Sequence, residues 1–503
     1  MDTHDSRRQE FEPSIAHSSM TTERPATGEQ PQGLRRELRF VEAIALSLAI
    51  MAPTAAMALN GTAVAGQIGR AVPLAFLIAT IGVLFVSYGF VRLTRYFNSA
   101  GSVFALAGAT LGPRAGFFAG FGLMGTYTLF TIASAAEVGL FGQTFLDGIG
   151  AGNVDWLILA LIAMVFIAIF AFGDIRVATR TLLSLEGISV TLILVLMVVI
   201  FAKVIGGSAP SDQGFTLSVF SPASGISLST IAVASVFGFL SFGGFEGAAS
   251  LGEETDDPGR NIPRAILIAV LAAGSFYIVC MVAQSLGFGL SDAGIKRFSE
   301  SSGPLGDLGK DYIGSGFADV INFGATMSAF AAALGAATAA SRILFAIARD
   351  GFPGNALGRA SARSGAPAGA LTVILAVSLV ALLGYRINGT SAVNAFFYPG
   401  TMGVLLMLVS YFVCNTGAIV FLYFRGERRA PAAEILVPLI ALAIIVYVLY
   451  QNTLADSLVS PYTKFPLVVG AWLLLGLLIA VLVPNLARRI GEGLAREEGM
   501  QSR

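Results

Sequence analysis

Three glutamates stand within long apolar stretches: Glu137, Glu186 in TRTLLSLEGISVTLI, and Glu246 in SVFGFLSFGGFEGAASLGEE. A charge at the centre of a bilayer costs ~2.5 to 3.5 kcal/mol on insertion scales, so carboxylates placed this way are functional candidates by default. Burial disfavours the charged form of a carboxyl group, and Glu186 is therefore read as a group that takes up and releases a proton. The reading favoured slightly over that one pairs it with Arg180 or Arg176 near the cytoplasmic end of the same segment. Glu246 is read as structural, accepting backbone N–H bonds from neighbouring helices beside a glycine-rich break. Glu137 lies toward the outer end of its stretch and is expected in the membrane interface.

Other reactive side chains are sparse. Both histidines, His4 and His17, lie in the polar N-terminal stretch, and both cysteines, Cys280 and Cys414, lie in apolar runs. That distribution argues against a metal site, a disulfide framework or a nucleophile–base pair, so neither a metal nor a cofactor is expected, nor enzyme activity. No GxxxxGK[ST] run follows a strand, which disfavours ATP-driven work. Lys plus Arg and Asp plus Glu are both 31, a balance that points to no nucleic-acid partner.

Composition sets the elements that must position these residues. The 503-residue chain is 55% hydrophobic and 12% charged, whereas soluble domains carry about 25% charged residues. About 20 apolar residues cross a bilayer as a helix. Twelve such spans are read near 41–67, 72–93, 114–146, 154–173, 179–204, 228–251, 264–288, 317–348, 369–385, 394–424, 433–451 and 465–484. The runs lack the ten-residue alternation of strand barrels. Residues 1–38, rich in Ser, Thr, Gln, Glu and Pro, read as a disordered cytoplasmic tail without signal-peptide features. With that tail inside, most basic residues fall on the cytoplasmic side. Only Arg70, Lys203, Lys296, Arg297, Lys310, Arg386 and Lys464 fall on the other, as the positive-inside rule requires. Both termini are then cytoplasmic.

Two of these spans contain a break. Pro53 in AIALSLAIMAPTAAMALNGTAVAG lacks an N–H and clashes with the carbonyl four residues back, which interrupts the first span near Met51 to Ala56. Gly243 and Gly244, with Gly247 just beyond, weaken the sixth. Proline kinks and close glycine packing explain each break singly. Together they fall on the first helix of each of two five-helix groups, which is where inverted-repeat transporters build their sites. The division read from this is 39–206 for helices 1–5, 207–426 for helices 6–10, 427–486 for helices 11–12 and 487–503 for a cytoplasmic tail.

The stretch FGFLSFGGFEGAASLGEETDDPGRNIPRAI resembles the sixth-helix signature of the amino acid–polyamine–organocation superfamily. ASRILFAIARDGFPGNALGRASARSGAP is similar to that family's eighth helix and following loop, and NSAGSVFALAGATLGPRAGF to its second-to-third helix connection. The likeness covers about residues 40 to 425. It implies an all-α membrane protein with the five-plus-five inverted repeat of the bacterial leucine transporter, two extra C-terminal helices, and secondary transport of amino acids or related amines.

A half-helix N-terminus offers free N–H groups and partial positive charge, and a half-helix C-terminus the opposite. The amides near Ala52, Thr54, Ala55 and Ala56 are accordingly expected to hold a substrate carboxylate. The carbonyls of Ser241, Phe242 and Gly243 are expected to hold its ammonium. Two departures bear on this. The family's Gly-Ser-Gly-Ile type run is replaced by Met51-Ala52-Pro53-Thr54-Ala55, and the aromatic that caps the site aligns with Leu240, flanked by Phe239 and Phe242. On the cytoplasmic side Glu253, Glu254, Asp256 and Asp257 beside Arg260 and Arg264 read as a closing ion-pair gate or, equally, a solvated turn.

The function expected is an amino acid permease of the cell membrane, contacting a small-molecule substrate and membrane lipid, with proton symport. Sodium is the alternative coupling ion, because Thr326, Ser328, Thr338 and Ser341 supply hydroxyls, although such side chains also serve as helix–helix contacts. Amine, polyamine or potassium transport, or amino acid exchange, is the alternative activity. A channel or sensor is disfavoured by the lack of a pore-filter motif.

Overall fold

Apolar runs of this length can satisfy their backbone N–H and C=O groups in lipid only within helices or closed barrels. In a computed structural model of the chain, all regular structure among the described residues is helical. The structure describes residues 40, 44, 47–48, 51–97, 103–172, 175–251, 255–352, 356–358, 367–454 and 460–497. All belong to the unit Arg36–Arg503.

The helices in chain order are α1 (Pro53–Ile68), α2 (Val72–Leu93), α3 (Val103–Leu111), α4 (Pro113–Gly148), α5 (Trp156–Phe172), α6 (Ile175–Ile205), α7 (Leu228–Ser241) and α8 (Pro258–Phe288). They continue as α9 (Asp292–Glu300), α10 (Pro304–Tyr312), α11 (Ser315–Gly351), α12 (Ala368–Ile387), α13 (Ala392–Ile419), α14 (Leu436–Thr453), α15 (Phe465–Leu482) and α16 (Pro484–Glu497). Among the described residues nine helical segments are long and apolar enough to cross a membrane, the first of them carrying both α1 and α2, and α5 and α7 are shorter apolar helices.

The long helix α4 packs along both α11 and α13. Close approach is bought by small residues: Gly122 lies against Ser410 and Gly403 against Phe130 across the α4–α13 contact. Large apolar side chains such as Val198, Val380 and Leu467 remain exposed, forming outward faces suited to lipid. The C-terminal stretch read as a tail begins with the packed helix α16, whose Ala487, Ile490 and Leu494 are buried. Its Arg489 side chain donates to the Gly351 carbonyl at the end of α11.

Candidate functional site

The first span is interrupted as follows. Residues 47 and 48 are helical, Met51 lies in a turn and Ala52 is left-handed at φ 44, before α1 starts at Pro53. Proline at the first position of a helix loses no bond, since that N–H has no partner within the helix. The exposed donors are therefore the next two amides. Thr54 N–H donates to Glu186 Oε1 at 2.9 Å, and Ala55 N–H donates to Ser328 Oγ at 3.1 Å. Ala56 N–H begins the helical ladder on the Ala52 carbonyl at 3.0 Å. The orphan donors of α1 are thus capped by side chains from α6 and α11, 132 and 273 residues away.

The sixth span breaks differently. α7 ends at Ser241, and its last bonds tighten to the third residue back, Phe242 N–H to Phe239 O and Gly243 N–H to Leu240 O, both 3.1 Å. Gly244 then takes φ 94, a conformation that costs a residue with a Cβ dearly. Beyond it Phe245–Leu251 continue as a 3-10 helix. A Cβ on Gly243 would stand 3.0 Å from Phe130 of α4, so glycine lets that ring approach the break.

Two hydrogen bonds hold the interrupted segments together. Ala248 N–H donates to Ser47 Oγ at 2.9 Å, and Asn60 Nδ2 donates to Ser241 Oγ at 2.7 Å. One lies before the first break and after the second; the other lies after the first and before the second. The two breaks therefore run side by side in opposite chain directions.

The residues singled out in the sequence fall around this junction unevenly. The Ser241 carbonyl accepts the Tyr277 hydroxyl of α8 at 2.8 Å, and the Phe242 carbonyl accepts Phe245 N–H at 3.1 Å. Phe242 meets Tyr277 edge to face, with ring centroids 5.1 Å apart, while Phe239 lies against Gly82 of α2. Leu240 faces Gly400 of α13. The aromatic that abuts Gly243 is Phe130 of α4. Sequence reasoning missed Phe130; only the bare Cα of Gly243 hinted that something large approaches there.

Glu246 accepts the Tyr411 hydroxyl of α13 at 2.6 Å, a cross-helix side-chain partner where backbone donors were expected. Rings of Phe90, Phe245 and Tyr411 pack edge to face around that pair. Glu137, expected in the membrane interface, is enclosed by protein, with only 2% of it exposed. Its Oε1 has no hydrogen-bond partner among the described residues, and it lies within electrostatic reach of Glu186.

Of the hydroxyls weighed for sodium, Thr326, Thr338 and Ser341 bond carbonyls of their own helix, and Ser328 alone reaches another element. Glu253 and Glu254 lie outside the described residues, as do the side chains of Arg176 and Arg180; Arg260 is exposed at the start of α8.

The family model described as amino acid permease matches residues 38–478. The chain is 26% identical over 366 residues to the low-affinity putrescine importer of Escherichia coli (strain K12), covering 72% of this chain and 77% of the relative. It is 24% identical over 351 residues to the branched-chain amino acid permease of Bacillus subtilis (strain 168), covering 64% and 70%.

Proposed function

The chain belongs to the amino acid permease family, and we propose that it moves a small amino compound inward across the cytoplasmic membrane by proton symport. It is a transporter rather than an enzyme, embedded in the membrane by multiple apolar helices. In this reading the solute lies between the interrupted first and sixth spans. The surrounding scaffold is twelve spans, arranged as a five-plus-five inverted repeat with two further helices, and both termini are cytoplasmic.

One observation carries the proposal: the Ser47–Ala248 and Asn60–Ser241 bonds bracket both breaks, so that oppositely polarised backbone ends stand side by side. An amino acid matches that polarity with its carboxylate toward α1 and its ammonium toward α7. Glu186 supplies the link to protons. A proton on Glu186 removes its charge and weakens its hold on Thr54 N–H, which frees that amide for the solute's carboxylate. Loss of the proton restores the internal bond. Each positive charge carried inward gains ~2.3 kcal/mol per 100 mV, enough to concentrate a neutral zwitterion.

A second reading, an amine as substrate, is favoured by the same bonds: the α1 amides expected for a carboxylate already have partners. The names of the two relatives span both readings, one an amino acid and the other a diamine.

The test is uptake of labelled amino acids and amines into proteoliposomes under imposed pH, sodium or voltage gradients. Concentrative uptake that follows the pH gradient is expected. Uptake that follows only sodium moves the coupling to that ion, and accumulation only against preloaded solute makes the protein an exchanger.

A further inference from the structure

We infer that the chain just beyond α2 and α13 forms a docking surface for the headgroup of an anionic phospholipid, whose phosphate is held by guanidinium groups. This surface lies apart from the two interrupted spans and goes beyond the transporter reading.

A turn builds the surface. After α13 the helix widens into one π turn over Val420–Phe424, and Gly426 at φ 80 lets the chain reverse. Arg429 N–H then returns to the Leu422 carbonyl at 2.9 Å. The Tyr96 hydroxyl, just past α2, donates to the Arg429 carbonyl at 2.9 Å. The rings of Tyr96 and Phe97 pack on Phe421, with centroids 5.5 and 5.0 Å away, and the Arg429 guanidinium covers Phe421 at 4.2 Å. Arg95 and the 425–429 turn thereby share one surface.

Its depth follows from the spans. Segments apolar and long enough to cross a membrane end at Leu93 and at Phe424, and another begins at Ala432. Arg95, Arg425, Arg428 and Arg429 all stand within four residues of those limits, where headgroups begin. Phe424 is 71% exposed and Tyr96 44%, and aromatic side chains favour that same interfacial level.

Arginine beside a span is common; the partners of these arginines set the group apart. Arg425 Nη1 donates to the carbonyls of Ala109 and Thr110 at the end of α3, at 3.3 and 3.4 Å. Arg429 Nη1 donates to those of Phe421 and Arg425, at 2.7 and 2.8 Å. Carbonyls and a ring fix both guanidiniums without cancelling their charge. Among the described residues neither Arg95 nor Arg428 forms an ion pair. The acids of stretches 92–97 and 420–435 are Glu427 and Glu434, and Glu434 is engaged by Arg92 and by the Tyr88 hydroxyl. Four arginines thus remain against one glutamate. Guanidinium forks match phosphate oxygens. A choline headgroup adds a cation to its phosphate, so a lipid of net negative charge fits better. Free phosphate lacks the acyl chains that Phe424 meets.

The full-length protein in detergent is titrated with dioleoylphosphatidylglycerol, dioleoylphosphatidylcholine and inorganic phosphate, and bound lipid is counted by native mass spectrometry. Phosphatidylglycerol is expected to bind roughly tenfold tighter than phosphatidylcholine, and equimolar inorganic phosphate to leave it in place. Arg95→Gln combined with Arg428→Gln removes two exposed charges, spares the Arg425 and Arg429 anchors, and is expected to weaken phosphatidylglycerol binding roughly tenfold. Arg342→Gln combined with Arg488→Gln removes two exposed arginines elsewhere and is expected to leave that binding unchanged. Comparing the two lipids on the unaltered protein needs no variant to fold. Equal affinity for both lipids overturns the proposal, as does wild-type phosphatidylglycerol affinity in the first double variant. Equal loss in the two double variants overturns it too, leaving only a general charge effect. Displacement of the lipid by equimolar phosphate also overturns it, making the surface a free-anion site.

Discussion

The Thr54 N–H donates to the Glu186 carboxylate at 2.9 Å, so a side chain of α6 caps the helix that restarts after the first break. A glutamine at position 186 keeps an acceptor for Thr54 but can no longer carry a proton. Glu186→Gln is expected to cut pH-driven accumulation severalfold while counterflow exchange at fixed pH persists. Equal loss in the two assays counts against a coupling role.

Gly243 admits the Phe130 ring, and a Cβ there would also stand 3.3 Å from the Leu240 carbonyl. Valine adds two further methyl groups at that contact, so Gly243→Val is expected to abolish ligand binding. The double variant Gly243→Val with Phe130→Ala relieves the ring and is expected to regain part of the affinity. Full affinity in Gly243→Val alone removes the α7 break from the site.

Tyr411 donates to Glu246 at 2.6 Å within a cage of aromatic rings. Tyr411→Phe preserves the ring and deletes the donor, leaving a buried acceptor unsatisfied at a cost of ~1 to 3 kcal/mol. A lowered melting temperature with unchanged substrate preference is expected. A changed preference with unchanged melting would place Glu246 in the solute's path instead.

Asp155 precedes α5, accepting Leu157 N–H at 2.9 Å and pairing with Arg386 of α12, also at 2.9 Å. The Arg386 hydrogen bond holds the Asp155 carboxyl below the usual aspartate range. A carboxylate depressed in the folded state contributes stability above its unfolded value of ~3.9 and loses it as pH falls through the folded value. Both side chains are more than a third exposed, so screening keeps the contribution to ~1 kcal/mol or less. The stability gap between the wild type and Asp155→Asn should be small at pH 7, shrink with salt, and close as the pH drops below ~3.9. A gap that widens with acid contradicts the pairing.

Ile490 of α16 is 1% exposed and lies against Gly351 of α11. Ile490→Ala removes buried apolar contact of a kind that costs ~2 to 5 kcal/mol in a core, and a terminal helix can undock rather than unfold the whole. Faster amide exchange confined to residues 484–497 is expected. Unchanged exchange there means that the helix is held by other contacts.

Much was legible along the chain because lipid imposes it. Every long apolar run had to become helix, Pro53 had to open the ladder after Ala52, and the Gly243–Gly244 pair marked the second break. These are local consequences of missing donors and missing Cβ atoms, readable without knowing any neighbour. The family resemblance drawn from the sixth- and eighth-helix stretches agrees with the family model over 38–478.

Partners across helices were decided only by packing. Nothing near Thr54 in sequence announces Glu186, and nothing near Glu246 announces Tyr411 165 residues on. Glu137 shows how the two levels differ: depth along an apolar run is a property of sequence, but burial depends on which helices close around it. Hydropathy fixes where backbone bonds must be made within a span. Which side chain meets a helix end left open by a break depends on how the spans are assembled, and only the tertiary structure supplies that.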